Sequence, residues 1–342
     1  MLMTNLNITM SKSNIAREWR TKHPDMPTLK LARLVYNANK LTFKDVEDAR
    51  QRLRYIEGKA GARDRKSVAK TEFFKEKARP LNPYSLPESY QKKREPFKLP
   101  LACNNILLIS DLHIPYHDIN AITIALDYGK KNKVNTIFIN GDLIDNAQVS
   151  RFEKDMSKRS VKEEFDATKQ FLVTLRNNFP NASIYWLKGN HCIRWEKFLA
   201  QKVSEIWDDP YFHLEERLRL NEQKIVLLDD KVLVKAGKLS ITHGHHIFKG
   251  FFVPVSPARG AFLRAKQSVI VGHLHRASFH PEVTLDGKVI GCWSTGCLCE
   301  LRPDYSPLVS NSQHGFAHIS VERNGNYHVK NLQIIEGKLF DL

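Results

Sequence analysis

Polar and apolar positions along the chain change texture twice. Between residues 13 and 57 the apolar positions recur every three or four, the period of helices that bury one face. Three short helices are predicted: "SNIAREWRTKH" starting on Ser13, "PTLKLARLVYNAN" with Pro27 and Thr28 at its head, and "TFKDVEDARQRLRYIEG". The last opens on a Thr42/Asp45 pair resembling a capping box and closes at Gly58. In it Val46, Ala49, Leu53 and Ile56 share a face, which leaves Lys44, Arg50, Arg52 and Arg54 to its flanks and outer side. Residues 1–57 are therefore expected to form a basic trihelical domain. From 58 to 103 no period survives. "GKAGARDRKS" is small and charged, and Pro80, Pro83, Pro87, Pro96 and Pro100 interrupt any regular element, so a linker is expected.

From about residue 104 the runs become short, apolar and β-branched: "NILLIS", "TIFIN", "SIYWLK", "KIVLLDD", "KVLVKAG", "KLSITHG" and "SVIVGH". Helical stretches such as "AITIALDYGKK" and "VKEEFDATKQFLVTLRNNF" alternate with the early ones. The pattern predicts an α/β domain over 104–342 whose later half is richer in strands.

Composition sharpens this picture at three points. The 342 residues are 42% apolar, enough to bury a sizeable core. The net charge of +16 is unevenly spread: residues 1–100 hold 23 Lys and Arg against 11 Asp and Glu, a net +12, and the rest of the chain carries +4. Such a segment favours a polyanionic partner such as nucleic acid, and a basic third helix suits a helix-turn-helix reader of DNA as well as a protein-docking module. Five cysteines, an odd number with three clustered late, are not a disulfide framework and point to a reducing compartment. With neither a signal-like start nor an apolar run of about 18 residues, a cytoplasmic protein without a membrane partner is expected.

The chemistry sits where predicted strands end. "LISDLH" ends in Asp111 and His113, "FINGDLID" in Asp142 and Asp145, "WLKGNH" in Asn190 and His191, "ITHGHH" in His243 and His245, and "IVGHLH" in His273 and His275. Carboxyl ends of strands are where α/β sheets bind ligands, so five tips can converge on one site. In an extended segment residues i and i+2 point the same way, so each Asp-x-His or His-x-His pair offers two donors to one point. Three carboxylates and up to six imidazoles are costly to pack unless divalent cations answer their charges and lone pairs. Nitrogen and oxygen donors without thiolates suit manganese, iron or zinc, and eight ligand positions exceed what one ion takes.

The ordered series DxH, GDxxD, GNH, HGH and GHxH resembles the calcineurin-like metallophosphoesterase superfamily over roughly residues 104–320. It is closest to the members carried by bacteriophages, with a late Cys- and Gly-rich segment here reading "GCWSTGCLCELRPDY". The resemblance implies a two-sheet α/β sandwich flanked by helices, preceded here by the small all-helical domain. It also implies two divalent metal ions, manganese foremost with iron, zinc or nickel as alternatives. By position, one ion is held by Asp111, His113, Asp142 and His275 and the other by Asp142, Asn190, His243 and His273, with Asp142 bridging. His191 becomes the group that stabilises the transition state and protonates the leaving oxygen, with Asp145 orienting it. In "GNH" the Gly is expected to let the chain turn tightly, and His191, next to Asn190, to point away from that ion.

Cys192 departs from relatives that carry Asp or Glu there, and is read as packing under the loop. Arg194 and Arg276 are candidates to grip phosphate, and His245 to face the substrate. His314 can reach the mouth but is read as a bystander. Cys292, Cys297 and Cys299 lack a second CxxC and a fourth ligand, and are read as buried or loop thiols. Neither G-x-S-x-G nor a P-loop occurs. The expected reaction is phosphoester hydrolysis by a hydroxide bridging the two ions, most readily by a nuclease or phosphodiesterase acting on nucleic acid. A phosphomonoesterase with a protein-docking N-terminal domain, and a non-catalytic DNA-binding protein with a vestigial site, are the alternatives.

Overall fold

The computed structural model describes residues 11–59, 82–87, 89–91, 94–150, 160–249, 254–302 and 310–342. Contacts divide the chain into two units, Met1–Gln91 and Lys92–Leu342. The first contains α1 (Lys12–Lys22), α2 (Thr28–Ala38) and α3 (Val46–Ile56) around a core that includes Ala16, Leu31, Val35, Phe43, Leu53 and Ile56.

Two helix starts differ from the sequence expectation. α1 is capped by Ser11, whose side chain accepts from the Asn14 N–H, two residues before the expected Ser13. The longer helix brings Lys12 Nζ to 2.6 Å from Asp48. α3 is capped by Asp45, which accepts from Asp48 N–H, while Asp48 accepts from Lys44 N–H. The cap is thus Asp45, three residues after Thr42, and the Asp48 carboxylate reaches back past it to Lys44 N–H. Gly58, at φ +65°, closes α3 as expected, with its N–H donating to Tyr55 O. Unforeseen was a buried ion pair of Arg20 with Glu57, the latter also accepting from Thr28 Oγ1 at 2.8 Å. Removing Glu57 would strand the Arg20 guanidinium in the interior, whereas Glu57 also has Lys59 Nζ at 2.9 Å. Residues 60–81, 88, 92 and 93 of the expected linker lie outside the described residues, and Phe97–Lys98 near its end form a strand of the second unit.

The strands of that unit are β1 (Phe97–Lys98), β2 (Asn105–Ile109), β3 (Thr136–Asn140), β4 (Ser183–Leu187), β5 (Ile225–Leu228), β6 (Val234–Ala236), β7 (Leu239–Ile241), β8 (Val269–Val271), β9 (Ser278–Val283), β10 (Val289–Ser294), β11 (His314–Val321), β12 (Tyr327–Ile335) and β13 (Lys338–Asp341). Among the described residues they form a seven-stranded sheet, β13-β12-β11-β2-β3-β4-β5, and a six-stranded sheet, β1-β6-β7-β8-β10-β9. β2 to β5 run parallel. α4 (Ile119–Lys131) connects β2 to β3 and α5 (Val161–Asn178) connects β3 to β4, as crossover helices do between parallel strands.

Alternation along β2 shows why two sheets face each other. Ile106 and Leu108 pack with Phe138, Leu187, Ile241 and Ile270 between the sheets. Leu107 and Ile109 point the other way, against Ala125 of α4 and Leu172 of α5. A strand apolar on both faces must be covered on both, which the second sheet and the helices provide. The two-sheet α/β sandwich flanked by helices is therefore the fold. β2, β3 and β4 of one sheet and β7 and β8 of the other each lead directly into residues of a common centre.

Candidate metal centre

The candidate donors lie just past strand ends: Asp111 and His113 after β2, Asp142 after β3, Asn190 after β4, His243 after β7, and His273 and His275 after β8. They converge, but not as extended pairs. Asp111 and His113 have φ of +56° and +50°, His273 and His275 +71° and +54°, and Asp142 +44°. Left-handed residues separated by one ordinary residue coil the chain, so both side chains turn inward while the intervening Leu112 is fully buried. Asp and His tolerate this region better than branched or bulky residues do.

Glycines make room for the same residues. A Cβ on Gly141, itself at φ +89°, would stand 2.1 Å from His243 Nδ1. A Cβ on Gly189 would stand 2.2 Å from Asp142 Oδ1. Gly189 does not have positive φ. The chain turns at Asn190 and His191 directly after it, and what requires glycine at 189 is close approach to Asp142 rather than a left-handed backbone.

Two groups of donors meet at Asp142. In one, His113 Nε2 stands 3.2 Å from His275 Nε2, 3.9 Å from Asp111 Oδ1 and 4.0 Å from Asp142 Oδ2, and His275 Nε2 is 3.3 Å from Asp111 Oδ1. In the other, His243 Nε2 is 3.0 Å from Asp142 Oδ2 and 3.2 Å from Asn190 Oδ1, and His273 offers a nitrogen to the same group. The far nitrogens settle the tautomers. His243 Nδ1 lies 2.7 Å from the carbonyl of Asn140, which only accepts, so Nδ1 carries the proton. His113 Nδ1 likewise donates to Asp145 Oδ1 at 2.8 Å. Imidazoles held in this way present Nε2 to a metal.

The arrangement fits cations. Asp111 Oδ1 is buried with no hydrogen-bond partner, and His113 Nε2, without a proton in this tautomer, faces it across His275. Burial opposes ionisation of Asp111 and Asp142, but the imidazoles around them outweigh it and hold both carboxyls well below the usual range. Burial likewise opposes charge on His243, yet Asp142 and Asp111 push it up to about 9, so a proton there carries the positive charge that a divalent ion would bring. His273 is pushed down to about 3, chiefly by burial and by His243, leaving a neutral imidazole.

His191 stands at the N-terminus of α6 (Cys192–Lys202), an element the sequence reading did not foresee. Its N–H donates to Asp142 Oδ1 at 2.8 Å, and its Nδ1 lies 2.7 Å from Asp145 Oδ1. Arg194 donates from Nη2 to His191 Nε2 at 3.0 Å and from Nη1 to the Asp145 carbonyl at 3.1 Å. An imidazole that donates through Nδ1 and accepts at Nε2 is neutral, and burial pushes its pKa down. Proton delivery from Nε2 therefore requires Arg194 to give way and Nε2 first to take up a proton. The positive end of α6 adds to the attraction for an anion at this spot.

The other candidates lie at varying distances from this centre. Arg276 spends its guanidinium on the carbonyls of Pro254 and Val255, at 2.7 and 3.3 Å, so in this arrangement it does not face the donors as a phosphate grip. His245 turns to Asp230, with Nε2 3.3 Å from Oδ2. His314 donates to the Cys299 carbonyl at 2.9 Å. Cys192 is fully buried, and burial pushes its thiol up to about 12. Cys292, Cys297 and Cys299 are buried, but Cys299 Sγ reaches 3.8 Å from His275 Nδ1 and forms a donor group with His113 and His275. Sequence reasoning passed over this contact, Ser110 bonded to Asp111 Oδ2, and Asn146 Nδ2 bonded to His191 O at 3.1 Å. It also passed over Asp230, although "KIVLLDD" is a strand with a carboxylate at its tip like the others.

Comparison with known proteins places this geometry in a family. Residues 105–285 match the calcineurin-like phosphoesterase model. The chain is 26% identical over 238 residues to the Gene 54 protein of Mycobacterium phage L5, covering 66% of this chain and 91% of that protein. It is 28% identical over 240 residues to the Gene 54 protein of Mycobacterium phage D29, with the same coverage. Both relatives come from bacteriophages, in keeping with the sequence resemblance. Among solved structures, vacuolar protein sorting 29 from Cryptosporidium parvum aligns with a TM-score of 0.38 at 15% identity, covering 70% of this chain and 95% of that one.

Proposed function

Since the chain belongs to the calcineurin-like phosphoesterase family, and is a metal-dependent phosphoesterase, we propose that its substrate is a phosphodiester of nucleic acid. The observation that carries the substrate class is the charge distribution, +12 in residues 1–100 against +4 in the remainder. A basic segment concentrates polyanions by releasing their counterions, which raises the local concentration of scissile bonds for the adjoining domain. A second observation favours a diester over a monoester. The dianionic end of a monoester calls for several cationic side chains, yet of the two candidate guanidiniums Arg276 is spent on backbone carbonyls, which leaves Arg194 alone.

Asp111, His113, Asp142 and His275 would hold one cation, and Asp142, Asn190, His243 and His273 the other. When bound, two divalent ions supply hydroxide at neutral pH and neutralise charge on phosphoryl oxygens. The protein's own groups do the rest. Asp145 holds the tautomers of His113 and His191 through their Nδ1 atoms. The Asp142 carboxylate fixes the His191 backbone. Arg194, exchanging its bond to His191 Nε2 for one to a phosphate oxygen, would free that nitrogen to take up a proton from solvent and then to pass it to the leaving oxygen.

The test is a panel of single-stranded DNA, double-stranded DNA and RNA, alongside bis- and mono-p-nitrophenyl phosphate, each with Mn²⁺ and with chelator. Cutting of one or more nucleic acids is expected, weakening steeply with salt and weakened further in an Arg50→Gln, Arg52→Gln, Arg54→Gln triple variant. Turnover of the monoester with no cut nucleic acid would replace this reading with the phosphomonoesterase.

A further inference from the structure

A second convergence of metal-ligating side chains lies outside the groups already assigned. Asp230 follows β5 at the edge of the seven-stranded sheet, and His245 and His246 follow β7 in the six-stranded one. Nε2 of His246 and Nε2 of His245 stand 2.8 and 3.3 Å from the same oxygen, Oδ2 of Asp230, and the two rings lie 4.0 Å apart. Asp230 is 7% exposed, and the His245 side chain 10%. Nδ1 of His245 is buried and has no hydrogen-bond partner. Without a cation, both imidazoles must direct an Nε2 proton at one carboxylate oxygen, a crowding that an ion among the three atoms would relieve, while Nδ1 of His245 lacks a partner with or without it. Two imidazoles and one carboxylate are the donor set by which zinc is held with an open position.

There is also a way in. Asp230 and His246 line a cavity of about 460 Å³ together with Lys231, Thr242, Lys249 and Gln267. The His246 side chain is 33% exposed on it. Water in that cavity can complete a coordination shell to which the protein contributes three donors.

We propose that Asp230, His245 and His246 hold a third divalent cation of the borderline class that zinc represents, joining the two sheets at their rim. Imidazole nitrogens favour zinc over magnesium or calcium, which prefer all-oxygen shells. The ion would clamp the turn that begins at His243 and would fix His245 toward Asp230 instead of toward substrate. Its presence does not depend on what the phosphoesterase hydrolyses.

The test counts cations on the full-length protein, stripped with chelator, reloaded with Zn²⁺ and dialysed, by inductively coupled plasma mass spectrometry. Three equivalents are expected for the unaltered chain, and two for His246→Gln and for Asp230→Asn. Two equivalents in the unaltered chain, or equal counts in chain and variants, overturn the assignment. So does loss of more than one equivalent, because the three residues would then be serving the pair. Cobalt(II) titration of the unaltered protein gives a readout that needs no variant. Its visible bands should grow through the third equivalent, and growth that stops at the second overturns the proposal.

Discussion

His113 and His191 direct their Nδ1 atoms at the same oxygen, Oδ1 of Asp145, at 2.8 and 2.7 Å. One carboxylate therefore sets the tautomer of a metal donor and of the imidazole proposed to handle the leaving group's proton. Burial opposes its ionisation, but the two imidazoles hold it far below the usual range. In Asp145→Asn the charge goes and only one amide oxygen is left to accept. The expected outcome is a fall in kcat on the order of 10² or more together with a 10- to 100-fold loss of metal affinity. Steady-state kinetics paired with metal titration check it.

His191→Asn separates these effects. The side chain offers one nitrogen to a proton relay, while the metal groups are completed by other residues. Metal content should stay near that of the unaltered chain while kcat drops by on the order of 10² or more. Cation loss equal to that of Asp142→Asn would make His191 a ligand and remove it from proton transfer.

Asp142 is the residue common to both donor groups, with Oδ2 facing His243 and His113 and Oδ1 holding the His191 N–H. Asp142→Asn should abolish turnover and weaken retention of both ions, read by elemental analysis after dialysis.

What could be read from the sequence was the list of strand tips and their order, because residues at the end of a buried apolar run are marked by their neighbours in the chain. Asp111, Asp142, His243 and His275 were identifiable in that way, as was a two-sheet sandwich through the family resemblance. What could not be read depends on partners distant in sequence or on backbone handedness. Nothing local to Arg276 says that it will bond Pro254 O. Nothing near Asp230 announces His246, in the turn that follows β7 of the other sheet. The i, i+2 argument for Asp111 and His113 reached the right convergence by the wrong geometry, since periodicity cannot report a sign change in φ. Ser11 displaced Ser13 because both serines can cap, and only the choice of first turn, fixed by packing, separates them.

Glu164 on α5 predicts a pH effect. It is fully buried, one of its oxygens accepts from Ala147 N–H, and the other has no partner. Burial, and then the Asp145 charge, push its carboxyl from 4.5 up to about 8. Between those values the folded state holds a proton that the unfolded chain releases, so stability falls as pH rises from about 4.5 to about 8 and levels off above. Glu164→Gln should remove that fall. Thermal melts should show the variant gaining a few degrees near pH 8.5 relative to the unaltered chain, and no gain near pH 5. A gain that is larger at pH 5 would contradict the sign.

The Cys192 thiol, buried and pushed up to about 12, should be chemically inert. Cys192→Ala should keep kcat within about two-fold while costing about 1 kcal/mol of stability through the small void it leaves. Thiol-blocking reagents under native conditions should leave that cysteine unlabelled.

Five of the seven proposed donors occupy left-handed backbone, and this has a price in the empty protein. Each such residue costs about 1 kcal/mol that glycine would not, so a glycine variant at half-buried His273, unlike one at Asp142 whose carboxylate holds the His191 N–H, should melt higher than the unaltered chain in chelator and lower in excess Mn²⁺. Folding alone would choose glycine there. The occupants are acids and imidazoles, and the crossing of those two melting orders would show how much conformational comfort the fold forgoes in order to carry them.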